Sequence, residues 1–175
     1  RGKLNNNTLV ITVMSNMGLE AALKKAGIKM VRAKVGDRYV LEEMLSSGYN
    51  FGGEQSGHII LLDHNTTGDG ILTGVNLIKV MADEQKALSE LSQIMKVYPQ
   101  VLVNVHVVDK SKYSGSECIQ ETIAENQALL GETGRILVRP SGTEPLIRVM
   151  VEGEQPELIN KVANTIANVI EKELC

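Results

Sequence analysis

Aromatic side chains are almost missing from this sequence, which has no tryptophan, one phenylalanine and four tyrosines. Proteins that bind single-stranded nucleic acid stack the bases on aromatic side chains and follow the backbone with a basic groove. Here the formal net charge is −3, and the 18 lysines and arginines are dispersed along the chain. The sequence therefore argues against nucleic acid as a partner.

Cysteine and long hydrophobic runs are also scarce. Cys118 and Cys175 are too few for a disulfide framework, and no cysteine spacing typical of a zinc site occurs. No apolar run approaches the length of a membrane span, and the first residues lack the apolar core of a signal peptide. We therefore expect a cytoplasmic protein without a membrane span or a metal site in this chain.

What the chain does contain is a patterned set of strands and helices. With 175 residues, of which 43% are apolar, it can form one large or two small domains. Hydrophobic periodicity predicts strands and helices in alternation at 8–13, 19–26, 28–33 and 37–45. This order favours an α/β domain with a mixed sheet covered by helices and with ligand loops at the carboxyl ends of its strands. A further helix is predicted over 71–82, with Thr66 or Thr67 as its N-cap.

A break at Tyr98-Pro99 divides the chain into predicted domains 1–96 and 97–175. The second domain starts with a strand in which valine recurs at every other position from Val101 to Val107. A helix capped by Ser116, two strands and a helix that begins at Pro156 follow. The β-α-β-β-α order predicts a small α+β domain with a mostly antiparallel sheet backed by helices.

The turn between the last two predicted strands looks suited to hold a phosphate. It reads Arg139-Pro-Ser-Gly-Thr-Glu-Pro145, with Arg148 three residues further on. Hydroxyls of Ser141 and Thr143 and backbone N–H groups near Gly142 can surround an anion, and guanidinium groups match phosphate oxygens. A tight surface turn with solvated hydroxyls is the alternative, because glycine, proline and serine are ordinary turn residues.

A second glycine-rich stretch, Gly52-Gly-Glu-Gln-Ser-Gly-His58, interrupts two apolar runs. In an extended segment Glu54 and Ser56 point the same way, so both can face one ligand. A carboxylate accepts hydrogen bonds and a serine hydroxyl does both, which suits sugar hydroxyl groups. A β-turn without a ligand fits the same residues, and His58 then is an ordinary rim histidine.

The two stretches together resemble the α-D-phosphohexomutases. Arg139 to Pro145 is similar to the family's phosphate-binding loop, and Gly53 to His58 to its sugar-binding loop. Val35-Gly-Asp-Arg-Tyr-Val40, Gln55 and Thr66-Thr-Gly-Asp-Gly70 resemble the branch that acts on glucosamine phosphate. The resemblance implies the third domain of the family followed by the fourth, which is similar to the TATA-box-binding protein in fold.

Site residues follow from the resemblance one by one. It implies that Arg139, Ser141, Gly142, Thr143 and Arg148 bind a phosphate. It implies that Glu54 and Ser56 hold the sugar hydroxyls, with Arg38 and His58 as neighbours. The family's phosphoserine lies in its first domain and its magnesium loop in its second, and neither motif occurs in this sequence. The chain therefore is expected to supply no catalytic or metal-binding residue and to be inactive alone.

The activity that the resemblance implies for a longer protein is the interconversion of glucosamine 6-phosphate and glucosamine 1-phosphate. This reaction serves amino-sugar nucleotide and cell-wall precursor synthesis, with Mg²⁺ and a glucose or glucosamine 1,6-bisphosphate as intermediate or activator. The expected partners are the phosphosugar, the N-terminal domains of the same protein and, compatible with the resemblance, a second copy in a homodimer. Two alternatives stay open: a phosphomannomutase or phosphoglucomutase, and a sugar-phosphate-binding module without catalysis.

Overall fold

The computed structural model describes residues 2–175. The chain divides into two compact units, Arg1–Val97 and Tyr98–Cys175. The first unit is an α/β unit, and the second is an α+β unit.

The first unit is built on a four-stranded sheet in the order β2-β1-β3-β4. Its strands are β1 (Thr8–Thr12), β2 (Lys29–Ala33), β3 (Phe51–Gly53) and β4 (Ile59–Leu61). Strand β1 runs parallel to β2 and β3, whereas β4 pairs with β3 in the antiparallel direction. The predicted mixed sheet is thus confirmed.

Helices connect these strands and follow them. They are α1 (Met17–Lys25), α2 (Asp37–Ser47), α3 (Gly70–Glu84) and the single-turn α4 (Leu88–Leu91). Asn16 caps α1 by accepting a hydrogen bond from the Gly18 N–H at 2.9 Å. Gly48 ends α2 in the left-handed conformation, at φ 72°, which glycine adopts without strain.

Helix α2 packs closely on one face of the sheet. Val10 of β1 and Ile60 of β4 are buried there with Val40 and Met44 of α2. A β-carbon on Gly52 would lie 2.8 Å from both Met44 Sδ and Val40 Cγ1. Only glycine at this position lets the helix approach the sheet so closely.

The N-cap of α3 differs from the prediction. Asp69, rather than Thr66 or Thr67, caps the helix, because its Oδ1 accepts a hydrogen bond from the Leu72 N–H at 2.9 Å. The helix begins at Gly70, so both threonines lie too early in the chain to reach its free N–H groups. The Asp69 carboxylate also lies at the positive end of the helix dipole.

The second unit is an antiparallel three-stranded sheet backed by two helices. Its elements are β5 (Gln100–His106), α5 (Glu117–Leu130), β6 (Gly134–Pro140), β7 (Leu146–Gly153) and α6 (Pro156–Leu174). The strand order is β5-β7-β6, so β7 lies at the centre. The predicted β-α-β-β-α order is confirmed, whereas the likeness to the TATA-box-binding protein stays a prediction.

Helix α6 supplies much of the core of this unit. Pro156 occupies its first turn, and one face is buried against β5, β7 and α5. The buried residues of this face are Ile159, Val162, Ala163, Ile166, Ala167, Ile170 and Leu174. The opposite face is polar, and within residues 2–175 we find no helix with the length and apolar character that crossing a membrane requires.

One ion pair is enclosed in the second unit. Arg135 of β6 and Glu152 of β7 face each other in register, and Arg135 Nε donates to Glu152 Oε2 at 2.7 Å. The Glu152 side chain is 0% exposed and that of Arg135 is 18% exposed. Because a buried carboxylate without a cation is costly, the pair fixes the register of β6 on β7.

Removing the cation of this pair should destabilise the second unit. We expect Arg135→Met to lower the free energy of unfolding by about 3 kcal/mol, because it removes the guanidinium that pairs with the buried Glu152 carboxylate. The measurement is urea denaturation, and Arg38→Met, which removes an exposed ion pair with Glu42, is the control. An Arg135→Met protein as stable as the control would contradict the role of the pair.

Candidate functional site

Two arginines face each other across the strands that flank the predicted phosphate loop. Arg139 of β6 and Arg148 of β7 are register partners, and both are half-buried. Burial lowers the pKa of Arg139, and the nearby Arg148 charge lowers it further. Like charges directly opposite each other destabilise a strand pair, so this arrangement favours an anion between them.

The donors of these arginines are only partly used. Arg148 Nη2 donates to Glu144 Oε2 at 2.7 Å, but its Nε is buried without a hydrogen-bond partner among residues 2–175. The Arg139 guanidinium makes no hydrogen bond or ion pair with any described residue. Unused guanidinium donors next to a loop are suited to bind a ligand with several acceptor oxygens.

The loop itself is held in shape by its own backbone and by one hydroxyl. The Ser141 N–H donates to the Leu146 carbonyl at 2.9 Å, and the Glu144 N–H donates to Ser141 Oγ at 3.3 Å. Ser141 is only 3% exposed, whereas Gly142 and Thr143 form the exposed tip. A β-carbon at Gly142 would meet no atom within 4 Å, so space is open at the tip.

Lys110, which the sequence analysis did not single out, also holds this loop. It lies in the 3-10 turn after β5, and its Nζ donates to the carbonyls of Ser141 at 2.7 Å and Glu144 at 3.3 Å. One ammonium group thus binds both ends of the turn. The sequence offers no signal for this contact, because the lysine lies 31 residues before Ser141.

The predicted sugar loop forms a compact polar cluster between β3 and β4. The Ser56 hydroxyl donates to Glu54 Oε1 at 2.6 Å and lies 2.9 Å from His58 Nδ1. His58 Nδ1 is also 3.3 Å from Glu54 Oε1. Glu54 is 9% exposed at its side chain and His58 is 54% exposed, so the carboxylate is enclosed and the imidazole faces outward.

Serine, histidine and glutamate in contact can indicate a nucleophilic triad, but this geometry does not support one. In a triad the imidazole accepts the serine proton at one nitrogen while the acid holds the other nitrogen. Here the Ser56 hydroxyl donates to Glu54, and both neighbours contact the same nitrogen, Nδ1 of His58. The cluster therefore presents hydrogen-bonding groups rather than an activated nucleophile.

This cluster is fastened to the carboxyl ends of β1 and β2. Glu54 Oε2 accepts a hydrogen bond from the Gly36 N–H at 3.2 Å, and the Thr12 hydroxyl donates to Gln55 Oε1 at 3.4 Å. The loops after β1, β2 and β3 thus meet at one edge of the sheet, as in α/β ligand sites. The structure does not bring Arg38 into this cluster, because its exposed side chain pairs with Glu42.

The described part of the chain contains no set of side chains that could hold a magnesium ion. Among residues 2–175 no three histidine, cysteine, aspartate or glutamate side chains are close enough to hold a metal. Asp63 instead accepts a hydrogen bond from the Asn50 amide at 2.7 Å, and Asp69 caps α3. No chemical step is assigned to a metal bound by these residues.

Two models of known protein families match consecutive parts of the chain. Residues 1–98 match the phosphoglucomutase/phosphomannomutase α/β/α domain III, and residues 102–169 match the C-terminal domain of the same family. Phosphoglucosamine mutase of Carboxydothermus hydrogenoformans is 59% identical over 98% of this chain. That of Brevibacillus brevis is 53% identical over 99% of it. In both cases the chain spans only 39% of the relative's length.

Solved structures show the same fold. An Aspergillus fumigatus N-acetylphosphoglucosamine mutase matches with a TM-score of 0.83 and 19% identity, over 97% of this chain and 39% of that one. A second structure of that enzyme, in complex with GlcNAc-6P and magnesium, matches with a TM-score of 0.81 and 18% identity, over 98% of this chain and 39% of that one. The chain therefore belongs to the phosphoglucomutase/phosphomannomutase family and carries its domain III followed by its C-terminal domain.

Proposed function

We propose that this chain is the substrate-binding C-terminal part of a phosphoglucosamine mutase, which interconverts glucosamine 6-phosphate and glucosamine 1-phosphate. The observation that carries the proposal is the pair Arg139 and Arg148, which face each other with unused donors beside the Ser141–Thr143 loop. The names of the relatives, at 53% and 59% identity, support glucosamine phosphate as the substrate.

In the proposed mechanism the second unit binds the phosphate that does not react. Arg139 and Arg148 supply charge-assisted hydrogen bonds, and the loop adds the backbone N–H groups of Gly142 and Thr143 and the Thr143 hydroxyl. Gly142 leaves room for the phosphate at the exposed tip. A 1,6-bisphosphate carries a phosphate at each end, so the same site can hold either end while the other reacts.

The first unit contributes the sugar contacts. Glu54 accepts hydrogen bonds from ring hydroxyls, Ser56 donates or accepts, and His58 lies beside them at the exposed side of the cluster. Phosphoryl transfer depends mainly on positioning and charge stabilisation, so holding the ring and the distal phosphate is a direct contribution to the rate.

The transferring groups lie outside this chain in the proposal. The phosphoserine belongs to other parts of the longer protein, and so does Mg²⁺, which offsets charge on the transferring phosphoryl group when bound. The residues described here bind and orient the substrate only, so the chain alone should show no turnover. Two exposed free cysteines fit a reducing compartment, and we place the reaction in the cytoplasm.

Two other functions use the same contacts. A phosphomannomutase or phosphoglucomutase also holds a sugar ring and a distal phosphate, and Glu54 and Ser56 do not by themselves read an amino group at carbon two. A sugar-phosphate sensor would bind in the same way without turnover. A substrate panel on the longer protein separates the three, because only the proposed enzyme prefers glucosamine phosphates.

Replacing Arg139 should weaken phosphate binding. We expect Arg139→Ala in the longer protein to raise KM for glucosamine 1-phosphate by about 10- to 100-fold, the effect of one charge-assisted hydrogen-bonded contact. Arg139→Lys should restore only part of the loss, because it keeps the charge without the planar fork. Lys112→Ala, at an exposed cation outside the loop, is the control, and an Arg139→Ala enzyme with the control's KM would reject the assignment.

Replacing Glu54 should affect the sugar and spare the phosphate. We expect Glu54→Ala to lower kcat/KM for glucosamine 6-phosphate by about 10- to 100-fold, because it removes acceptors for the ring hydroxyls. Inhibition by inorganic phosphate, which has no ring, should stay unchanged. Glu43→Ala, at a half-buried position of α2, is the control. Equal kinetics in the two variants would show that Glu54 does not contact the sugar.

Lys110 should act through the loop rather than on the substrate. We expect Lys110→Met to raise KM for both phosphosugars, and the inhibition constant of inorganic phosphate, by about tenfold with kcat nearly unchanged, because it frees the Ser141 and Glu144 carbonyls. Lys110→Arg should recover most of the affinity, and Lys112→Met should behave as wild type. A fall in kcat at constant KM would contradict a positioning role.

A further inference from the structure

The proposed sugar contacts leave the substituent at carbon two of the ring without a partner. Glu54 and Ser56 are assigned to ring hydroxyls. Gln55 lies between them in sequence, but its acceptor atom Oε1 already receives a hydrogen bond from the Thr12 hydroxyl at 3.4 Å. An ammonium group only donates hydrogen bonds and carries a positive charge. A group that selects it over a hydroxyl therefore should be a negatively charged acceptor beside the cluster.

The loop between β2 and α2 reaches the sugar cluster. The Gly36 N–H donates to Glu54 Oε2 at 3.2 Å, although β1 lies between β2 and β3 in the sheet. Gly36 has φ 125°, which a residue with a β-carbon rarely adopts, so a glycine is needed for this path of the loop. Helix α2 begins at the next residue, Asp37, whose Cα lies about 3.8 Å from that of Gly36. The first residue of α2 is thus next to the cluster.

Asp37 carries a half-buried carboxylate that is only partly used. Its Oδ1 accepts a hydrogen bond from the Arg38 N–H at 2.8 Å, and within the described part of the chain its Oδ2 has no hydrogen-bond or ion-pair partner. The cations nearest in sequence make other contacts. Arg38 pairs with Glu42, and Lys34 Nζ lies 5.7 Å from the centre of the Tyr39 ring. The free oxygen of Asp37 can therefore bind a cation that a ligand brings.

The charges around the cluster favour such a ligand. The Glu54 side chain is only 9% exposed, and Asp37 adds a second negative charge one residue beyond the N–H that Glu54 contacts. The positive end of the α2 dipole lies at Asp37 and opposes a cation, so the carboxylate has to supply the attraction. A ring that carries only hydroxyls is neutral and gains little from a second carboxylate. An amino sugar, which is positively charged when protonated, gains a charge-assisted hydrogen bond.

We propose that Asp37 selects glucosamine phosphates by accepting a hydrogen bond from the ammonium group at carbon two. Its Oδ1 stays on the Arg38 N–H, and its Oδ2 binds the ligand. Glu54 and Ser56 then bind hydroxyls on the following ring carbons. The inference rests on the proposed function, because it assigns one more group of the same substrate to the same site. Asp37 thus determines specificity and takes no part in phosphoryl transfer.

The test compares two ligands that differ only at carbon two, glucosamine 6-phosphate and glucose 6-phosphate. Titration calorimetry on the longer protein measures the dissociation constant of each, and we expect the wild type to bind the glucosamine compound more tightly. Asp37→Asn should reduce this preference by about 10- to 100-fold, the effect of one charge-assisted hydrogen bond. Asparagine keeps an oxygen for the Arg38 N–H, so the start of α2 is preserved. A general loss of phosphate binding cancels in the ratio.

Further variants separate the charge of Asp37 from its place in the helix. Asp37→Glu keeps the charge and should retain part of the preference. Asp37→Ser replaces the asparagine variant if that protein fails to fold, because a serine hydroxyl also accepts from the Arg38 N–H. Glu42→Gln removes an exposed carboxylate from the same helix and should retain the full preference, as the matched control. Circular dichroism and thermal melting establish that each variant is folded.

An Asp37→Asn protein with the preference of the wild type would overturn the inference. An equal loss of affinity for both ligands would overturn it as well, because it would make Asp37 a structural residue, and so would a wild type that binds both equally. Turnover of glucosamine phosphates is measured separately. A preference that depends on Asp37 in a longer protein without mutase activity would support the role of Asp37 and reject the proposed enzyme, so the two failures are distinguishable.

Discussion

In the second unit the arginines Arg139 and Arg148 lie opposite each other on neighbouring strands. The candidate site beside the loop depends on this pair of like charges. Arg139 and Arg148 cannot separate without breaking the register of β6 and β7, and that register is fixed elsewhere by the buried pair of Arg135 and Glu152. The sheet thus concentrates positive charge at the loop, where Glu144 offsets part of it, and pairs Arg135 with a buried carboxylate near its other end. In the proposed function the like charges cost part of the stability of the strand pair and provide an affinity for anions.

Both loops are shaped before a ligand arrives. In the first unit the Glu54 carboxylate is oriented by the Gly36 N–H from the next loop, and in the second the turn carbonyls are bound by Lys110 from a separate segment. In each case hydrogen bonds from a segment distant in sequence hold a short loop. Preorganised donors and acceptors lose less entropy on binding, and this matters most for a reaction that relies on positioning.

Much of the secondary structure could be predicted from the local sequence pattern, whereas the cap of α3 and the role of Lys110 could not, each for a different reason. Strand β5 and helix α6 could be predicted because their signals lie within a short stretch of sequence. These signals are the alternating valines from Val101 to Val107 and the periodic apolar residues of α6. The apolar periodicity of α3 locates the start of the helix only to within several residues. The pattern therefore indicated Thr66 or Thr67 as the cap rather than Asp69. Lys110 was missed because nothing near it in sequence shows that it reaches the loop at Ser141.

The Glu144 carboxylate lies 2.7 Å from Arg148, so in the proposed function a phosphate replaces an anion that already pairs with this arginine. An incoming anion has to displace a carboxylate that carries one charge and is tethered to the loop. A phosphate dianion can do this because it brings more charge and a third acceptor oxygen, whereas a free carboxylate merely replaces like with like. In the proposed function the loop thereby selects anions by their charge as well as by their shape.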